Sequence, residues 1–166
     1  MLTAKYLREI LTYAPDTGLF TWKKKKVSDK VRVGNIAGTL CRGYVAIRIS
    51  KVRYQAHRLA WLYVTGKWPI RYIDHINGIR DDNRFCNLRD VDVTTNAQNI
   101  GGMKACGTST GLLGAYLHKS GRFVSFIRYG GKKRNLGYLD TADDAHAAYI
   151  AAKTAHHKGF VKERVL

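Results

Sequence analysis

Four polar residues in the middle of the chain combine groups that bind hard metal ions with a group that can move a proton. Asp74 and His75 are adjacent, Asn87 follows 12 positions after His75, and Asn96 follows nine positions after Asn87. Carboxylate and amide oxygens favour Mg²⁺ or Mn²⁺ over zinc, which makes Asp74 and Asn96 candidate metal ligands. A neutral imidazole accepts a proton near pH 7, so His75 is a candidate general base.

The charge distribution separates this region from the rest of the chain. The 166 residues include 29 Lys and Arg but only 12 Asp and Glu, a net charge of +17. Residues 1–56 have a net charge of +9 and residues 101–166 of +7, whereas residues 57–100 are nearly neutral and contain five acids. Basic segments suit a phosphate backbone, and a neutral centre with carboxylates suits a divalent cation. This distribution predicts nucleic acid as the partner.

Composition excludes several classes of protein. Apolar residues make up 45% of the chain, enough to build a core, and no run approaches the roughly 18 apolar residues of a membrane span. Residues 1–9 are polar and include an acid, unlike a secretory signal. Cys41, Cys86 and Cys106 form no CxxC pair and are interpreted as free thiols, which favours a cytoplasmic location.

The elements up to residue 100 must bring the four polar residues together. Apolar residues at helical spacing predict a helix over 3–13 that begins after Thr3. The pattern then predicts a strand at 19–22, hairpin strands at 44–49 and 52–56, and a helix at 58–64, with His57 as a structural residue at its start. A strand from 73 is predicted to enter a polar loop by 78. A strand at 88–93 and a short helix that begins at Thr94 or Thr95 follow it.

A glycine-rich linker is predicted at 101–111, and a smaller module follows it. Three strands at 113–117, 122–129 and 133–138 precede a helix that begins with a capping box at Thr141 to Asp144. The pattern predicts a three-stranded sheet backed by one helix. Along the middle strand, one face carries Arg122, Val124, Phe126 and Arg128, and the other carries Phe123, Ser125, Ile127 and Tyr129. The first face is expected to meet DNA, with Phe126 either stacking on the nucleic acid or packing locally.

The central residues and their context resemble the His-Asn-His (HNH) endonucleases, in the variant whose third residue is Asn. The matching segments are HRLAW at 57–61, DHING at 74–78, DNR at 82–84, NLR at 87–89 and NAQN at 96–99. The resemblance implies two strands and a helix around one metal ion, and hydrolysis of phosphodiester bonds that leaves a 5′ phosphate and a 3′ hydroxyl. It also implies that Asn87 either orients His75 or buttresses the loop.

Residues 109–160 resemble the AP2 DNA-binding domain, whose sheet enters the major groove. The matching segments are GAY at 114–116, GRF at 121–123, FIR at 126–128, LGYLDT at 136–141, and Asp144, Ala145, Ala148 and Tyr149. Arg122, Arg128 and Lys133 are basic at contact positions of that family. Tyr116 and His118 stand where the family has arginines and Asn135 where it has tryptophan, so the target sequence of the plant relatives does not transfer.

Together these observations predict an α+β protein, with a ββα-metal (HNH) nuclease unit at 1–100, the linker at 101–111, an AP2-like sheet and helix at 112–160, and a tail at 161–166. The expected activity is metal-dependent cleavage of duplex DNA by a homing-type enzyme of phage that uses Mg²⁺ or Mn²⁺. The enzyme is expected to act as a monomer or weak dimer, and the sequence indicates no protein or membrane partner. A DNA-binding regulator with an inactive nuclease unit and RNA binding by the basic segments are the alternatives. The predicted DNA contacts are Lys23, Lys24, Lys25, Lys26, Arg48, Arg53, Tyr116, His118, Arg122, Arg128, Lys132, Lys133, Arg134 and Asn135.

Overall fold

The chain forms two compact units, Met1–Asp92 and Val93–Leu166, in a computed structural model that describes residues 1–24, 32–99 and 110–161. Both units mix short helices with small antiparallel sheets, as expected for an α+β protein. The unit boundary lies after Asp92, whereas the sequence placed the end of the nuclease domain at residue 100. Most of the predicted linker and tail falls outside the described residues. None of the described helices has the length and apolar character needed to cross a bilayer.

The chain begins with a short helix and a hairpin. Helix α1 spans Ala4–Ile10, and the Thr3 hydroxyl caps it by accepting a hydrogen bond from the Tyr6 amide at 3.2 Å. The prediction of a helix over 3–13 was wrong at its end, because Leu11–Ala14 form strand β1, which pairs with β2 at Leu19–Trp22. Alternate residues of β1 are buried, so pairing with β2 places Leu11 and Tyr13 in the core where a longer helix would not.

A three-stranded sheet and a long helix complete the core of the first unit. Strands β3 (Thr39–Cys41), β4 (Tyr44–Ile49) and β5 (Val52–Gln55) pair in that order, which confirms the hairpin around Ser50 and Lys51. Helix α2 spans Ala56–Thr65 and ends at Gly66, whose φ of 77° is the left-handed conformation common at helix ends. The buried core includes Leu7, Leu11, Phe20, Ile47, Leu59 and Leu62.

The two strands that carry the candidate site follow α2. Strands β6 (Tyr72–His75) and β7 (Leu88–Val91) are antiparallel, with Asp74 opposite Arg89 and His75 opposite Leu88. A loop and a short 3-10 turn at Phe85–Asn87 join them. Both predicted strands are confirmed, although each is shorter than the sequence pattern indicated.

The second unit contains a helix, a sheet and a second helix. Helix α3 spans Val93–Gln98, strands β8 (Ala115–Leu117), β9 (Phe123–Tyr129) and β10 (Lys132–Leu139) form the sheet with β9 in the middle, and helix α4 spans Ala142–His156. Helix α4 packs on all three strands and covers Ser125 and Ile127, which are buried. The Thr141 hydroxyl accepts a hydrogen bond from the Asp144 amide at 3.1 Å, which confirms the predicted cap.

Candidate active site

His75 lies in a buried pocket of aromatic rings at the end of β6. Its exposed fraction is 5%, and that of the adjacent Asp74 is 8%. The edge of the His57 ring meets the His75 ring with centroids 5.0 Å apart, and the Tyr44 ring lies 6.0 Å from His75. His57 does begin a helix, as the sequence indicated, but its ring is also part of the wall around His75. Its Nδ1 has no hydrogen-bond partner within the described ranges.

Burial keeps both histidines neutral near pH 7. It lowers the pKa of His75 below the ordinary value, although the contact with Asn83 and the nearby carboxylates act in the opposite direction. Burial, together with the neighbouring His75, lowers the pKa of His57 to about 3. A neutral imidazole carries one lone pair that can accept a proton, which is the form a general base requires.

Asn83 contacts His75 at the Nε2 nitrogen of the ring. The side-chain nitrogen of Asn83, Nδ2, donates to the Asp81 carbonyl at 3.0 Å, and a carbonyl can only accept. This orients the Asn83 Oδ1 towards His75 Nε2, at 3.4 Å, and that oxygen also can only accept. An acceptor at this position favours the neutral tautomer whose proton is on Nε2.

Asn87 holds the loop between β6 and β7. Its Nδ2 donates to Asn77 Oδ1 and to the Asp82 carbonyl, each at 2.9 Å, and its Oδ1 accepts from the Asn77 amide at 2.9 Å. Asn77 also donates to Asp82 Oδ2 at 2.7 Å. The side chain of Arg84 donates to Asp82, and this contact lowers the pKa of Asp82 to about 2. The loop that presents Asn83 to His75 is thus fixed by side chains from both of its ends.

The N-terminal hairpin supports the same loop from outside. The Tyr13 hydroxyl donates to the Asn83 carbonyl at 2.7 Å, and the Phe85 amide donates to the Pro15 carbonyl at 3.2 Å. Gly18 has a φ of +73°, and a Cβ on it would lie 2.5 Å from backbone atoms of Asn83 and Arg84. This close approach requires glycine at position 18.

Asp74 forms an ion pair with the residue opposite it on β7. Arg89 Nε and Nη2 both donate to Asp74 Oδ2, at 2.9 and 2.7 Å. Asn96 is half-buried on α3 and belongs to the second unit, so its convergence with Asp74 stays a prediction. A buried carboxylate is a suitable oxygen donor for a hard divalent ion. No group of three or more His, Cys, Asp or Glu converges within the described ranges, which leaves the expected carboxylate and amide pair untested.

The basic residues predicted to contact DNA in the first unit lie in two places. Lys23 donates to the Arg8 carbonyl at 3.0 Å, and Lys24 lies 3.8 Å from Glu9, while Lys25 and Lys26 fall outside the described residues. Arg48 and Arg53 are exposed partners on β4 and β5. They line a groove of about 580 Å³ whose other walls include Trp22, Ile36 and Leu40.

In the second unit, the sheet face opposite α4 carries four of the eight predicted contacts. Directly paired residues of antiparallel strands share a face. The register therefore defines an outer face that comprises Tyr116, Val124, Phe126, Arg128, Lys133, Asn135 and Tyr138. Phe126 packs locally, since its ring stacks on Tyr116 at 4.6 Å and Lys133 Nζ lies 3.5 Å from its centroid.

The remaining predicted contacts of this unit lie at the edge of the outer face or on the other side of the sheet. The His118 ring lies 4.9 Å from Tyr138 at the edge. Arg122 donates to the Tyr138 carbonyl at 2.8 Å and to Asp140 at 3.0 Å. Lys132 and Arg134 pair with Tyr129 and Ile127, so the register places them on the face towards α4, at exposed positions.

Sequence reasoning missed Asn83, Tyr44 and Arg89 as parts of the site, and it gave His57 only a structural role. The DNR segment at 82–84 signalled a loop without indicating which side chain reaches His75. Arg89 could be found by pairing the two predicted strands in the correct register, because Asp74 then lies opposite it.

One comparison with known proteins gives a match. Residues 54–98 match a family model described as HNH endonuclease, whereas no curated protein and no solved structure matches the chain. The matched segment begins in β5 and ends with α3, so it includes His57, both site strands and the loop between them. This match supports the HNH nuclease family, and with it a hydrolase that cleaves DNA, for the segment that contains Asp74 and His75.

Proposed function

We propose that the chain is a metal-dependent DNA endonuclease in which His75 is the general base. The observation that carries this proposal is the buried, neutral His75, held by Asn83 and adjacent to Asp74, within the segment that matches the HNH endonuclease model. In this proposal the neutral ring accepts a proton from water, and the contact of Nε2 with Asn83 orients the ring. The resulting hydroxide attacks the phosphorus and the bond from phosphorus to the 3′ oxygen breaks. This leaves a 5′ phosphate, and the 3′ oxygen takes a proton from solvent water to become a hydroxyl.

Asp74 and Asn96 are the proposed ligands of one Mg²⁺ or Mn²⁺ ion. When bound, such an ion stabilises the negative charge on the phosphate and on the departing 3′ oxygen. Asn87 acts as a buttress, since its side chain contacts Asn77 and Asp82 of the loop. A single site of this kind cuts one strand at a time, so we expect nicks to precede double-strand breaks.

The second unit and the basic residues of the first unit hold the duplex in this proposal. The outer face combines two cations, Arg128 and Lys133, with a cluster of aromatic rings. Such a face suits phosphates and base edges of a major groove, as the AP2 resemblance implies. The same resemblances are the support for a homing-type enzyme of phage.

Cleavage of a supercoiled plasmid tests the proposal directly. Wild-type protein with Mg²⁺ should convert the plasmid to nicked and then linear forms, and excess EDTA should stop this. His75→Ala should bind the plasmid as tightly as wild type but cleave it at least about a hundredfold more slowly, because the general base is lost.

His156→Ala is the matched control, because His156 is an exposed histidine on α4 in the other unit. It should cleave like wild type. Equal cleavage by His75→Ala and wild type contradicts the assignment of the base. Tight duplex binding without any metal-dependent cleavage by wild-type protein supports the alternative of a regulator with an inactive nuclease unit.

A further inference from the structure

The Asp74–Arg89 ion pair places a fixed positive charge on the carboxylate that the proposed function assigns to a divalent ion. The two residues are direct partners across β6 and β7. Both guanidinium donors reach the same oxygen, Asp74 Oδ2. The side chains are 10% and 26% exposed, so solvent screens this pair less than a surface pair.

Fold stability gives little reason for this pair. Taking two charges out of water costs about as much as their attraction returns, so a buried pair is weak evidence of stabilisation. The geometry has a clear effect on ligand binding instead. A charge of +1 within 3 Å of a ligand oxygen opposes a cation of charge +2 at that carboxylate.

We propose that Arg89 is a positioning residue that both orients Asp74 and weakens its binding of a divalent ion. The inference rests on the proposed function, since it takes Asp74 as a ligand. Two hydrogen bonds to one oxygen hold the carboxylate in a single orientation, as partners of metal ligands commonly do. The positive charge lowers the affinity of the DNA-free protein for the ion. A phosphate of bound DNA adds negative charge and offsets this effect, which couples ion binding to substrate binding.

Mn²⁺ binding to the DNA-free protein tests this inference apart from activity. Free Mn²⁺ is measured by electron paramagnetic resonance in titrations of wild type, Arg89→Met, Arg89→Lys and Asp74→Asn. Arg89→Met should bind Mn²⁺ at least about tenfold more tightly than wild type, because the opposing charge is gone. Arg89→Lys keeps the charge and should bind as weakly as wild type. Asp74→Asn should lose this binding and so identifies the site.

Arg84→Met is the matched control, because Arg84 forms a similar ion pair with Asp82, at 2.6 Å, rather than with Asp74. It should change Mn²⁺ affinity less than Arg89→Met does. A gain shared equally by both variants, or an unchanged or weaker affinity in Arg89→Met, overturns the inference. Urea unfolding of each variant identifies any loss of fold.

The experiment also separates this inference from the function on which it rests. Mn²⁺ binding that is equal in Asp74→Asn and wild type contradicts the metal site itself. Binding that depends on Asp74 but not on Arg89 contradicts only the role of Arg89. At saturating Mg²⁺, Arg89→Met should cleave more slowly than wild type, because the Asp74 carboxylate is no longer oriented. It should also need less Mg²⁺ for half its maximal rate, because the opposing charge is gone.

Discussion

At the scale of single residues, the site buries one imidazole, keeps it neutral and orients it through Asn83. His57 and Tyr44 exclude water from one side of His75, and Asn83 fixes Nε2. A histidine in water would be partly protonated near pH 6.5 and would exchange tautomers freely. This arrangement also buries a second histidine, His57, and burial opposes its protonation.

His57 makes the stability of the fold depend on pH. Its pKa is about 3 in the folded protein but close to 6.5 in an unfolded chain, so below pH 6.5 the unfolded state binds the extra proton. The free energy of unfolding should therefore fall as the pH decreases from 6.5 towards 3. His57→Phe keeps a ring but cannot titrate. Between pH 7 and pH 4.5, its free energy of unfolding, measured by urea unfolding, should fall by about 2 kcal/mol less than that of wild type.

The comparison uses the change between the two pH values, so a uniform loss of stability in the variant does not affect it. His75→Phe serves as a second comparison, since burial also lowers the pKa of His75. If His57→Phe and wild type lose the same free energy between pH 7 and pH 4.5, the strong depression of the His57 pKa is wrong.

At the scale of elements, the N-terminal hairpin is a support for the active-site loop. Gly18→Ala should reduce both stability and cleavage, because its Cβ would displace the backbone of Asn83 and Arg84. Gly34→Ala is the matched control, since Gly34 also has a positive φ, +86°, but has no atom within 4 Å of the added Cβ. We expect a loss of about 1 kcal/mol in the control, from backbone strain alone.

Urea unfolding and plasmid cleavage, both at a temperature where the two variants are folded, measure this difference. Gly18→Ala should be less stable than Gly34→Ala and should cleave more slowly per folded molecule, since Asn83 no longer holds His75 in place. Cleavage by folded Gly18→Ala at the rate of Gly34→Ala would show that the hairpin does not position the loop.

Local patterns in the sequence predict the elements of this chain better than the contacts between them. The strand at 122–129 follows from alternation, the strand at 44–49 follows from its apolar residues beside the turn at 50–51, and the start of α4 follows from the Thr141 cap. The predicted helix at 3–13 failed because Leu11 fits the helical spacing of Leu7 as well as the alternation of a strand, and only pairing with β2 decides between them. Asn83 and Arg89 were missed for the same reason, since their partners depend on loop closure and strand register.

At the scale of the whole molecule, excess positive charge is distributed over both units. The first unit has 18 basic and eight acidic residues, and the second has 11 and four. Five of those eight acids lie between Asp74 and Asp92, so the basic character of the first unit is concentrated outside the candidate site. Each unit can therefore contribute phosphate contacts, and salt dependence is the observable that counts them.

The outer face of the second unit should account for a measurable part of that salt dependence. Removing two phosphate contacts with Arg128→Ala and Lys133→Ala together should reduce the slope of log K against log salt concentration by about 2, since each contact releases close to one counterion. Fluorescence anisotropy of a labelled duplex, measured in EDTA to prevent cleavage, gives the slope.

Lys132→Ala and Arg134→Ala together are the matched control, because they remove the same charge from the neighbouring positions of β10 that face the other way. If the outer face meets the duplex, this pair should change the slope by less than half as much. Equal slopes for the two double variants would mean that net charge, rather than the outer face, determines binding. Lys133 also lies over the Phe126 ring, so Lys133→Arg, which keeps both the charge and the ring contact, should retain the wild-type slope.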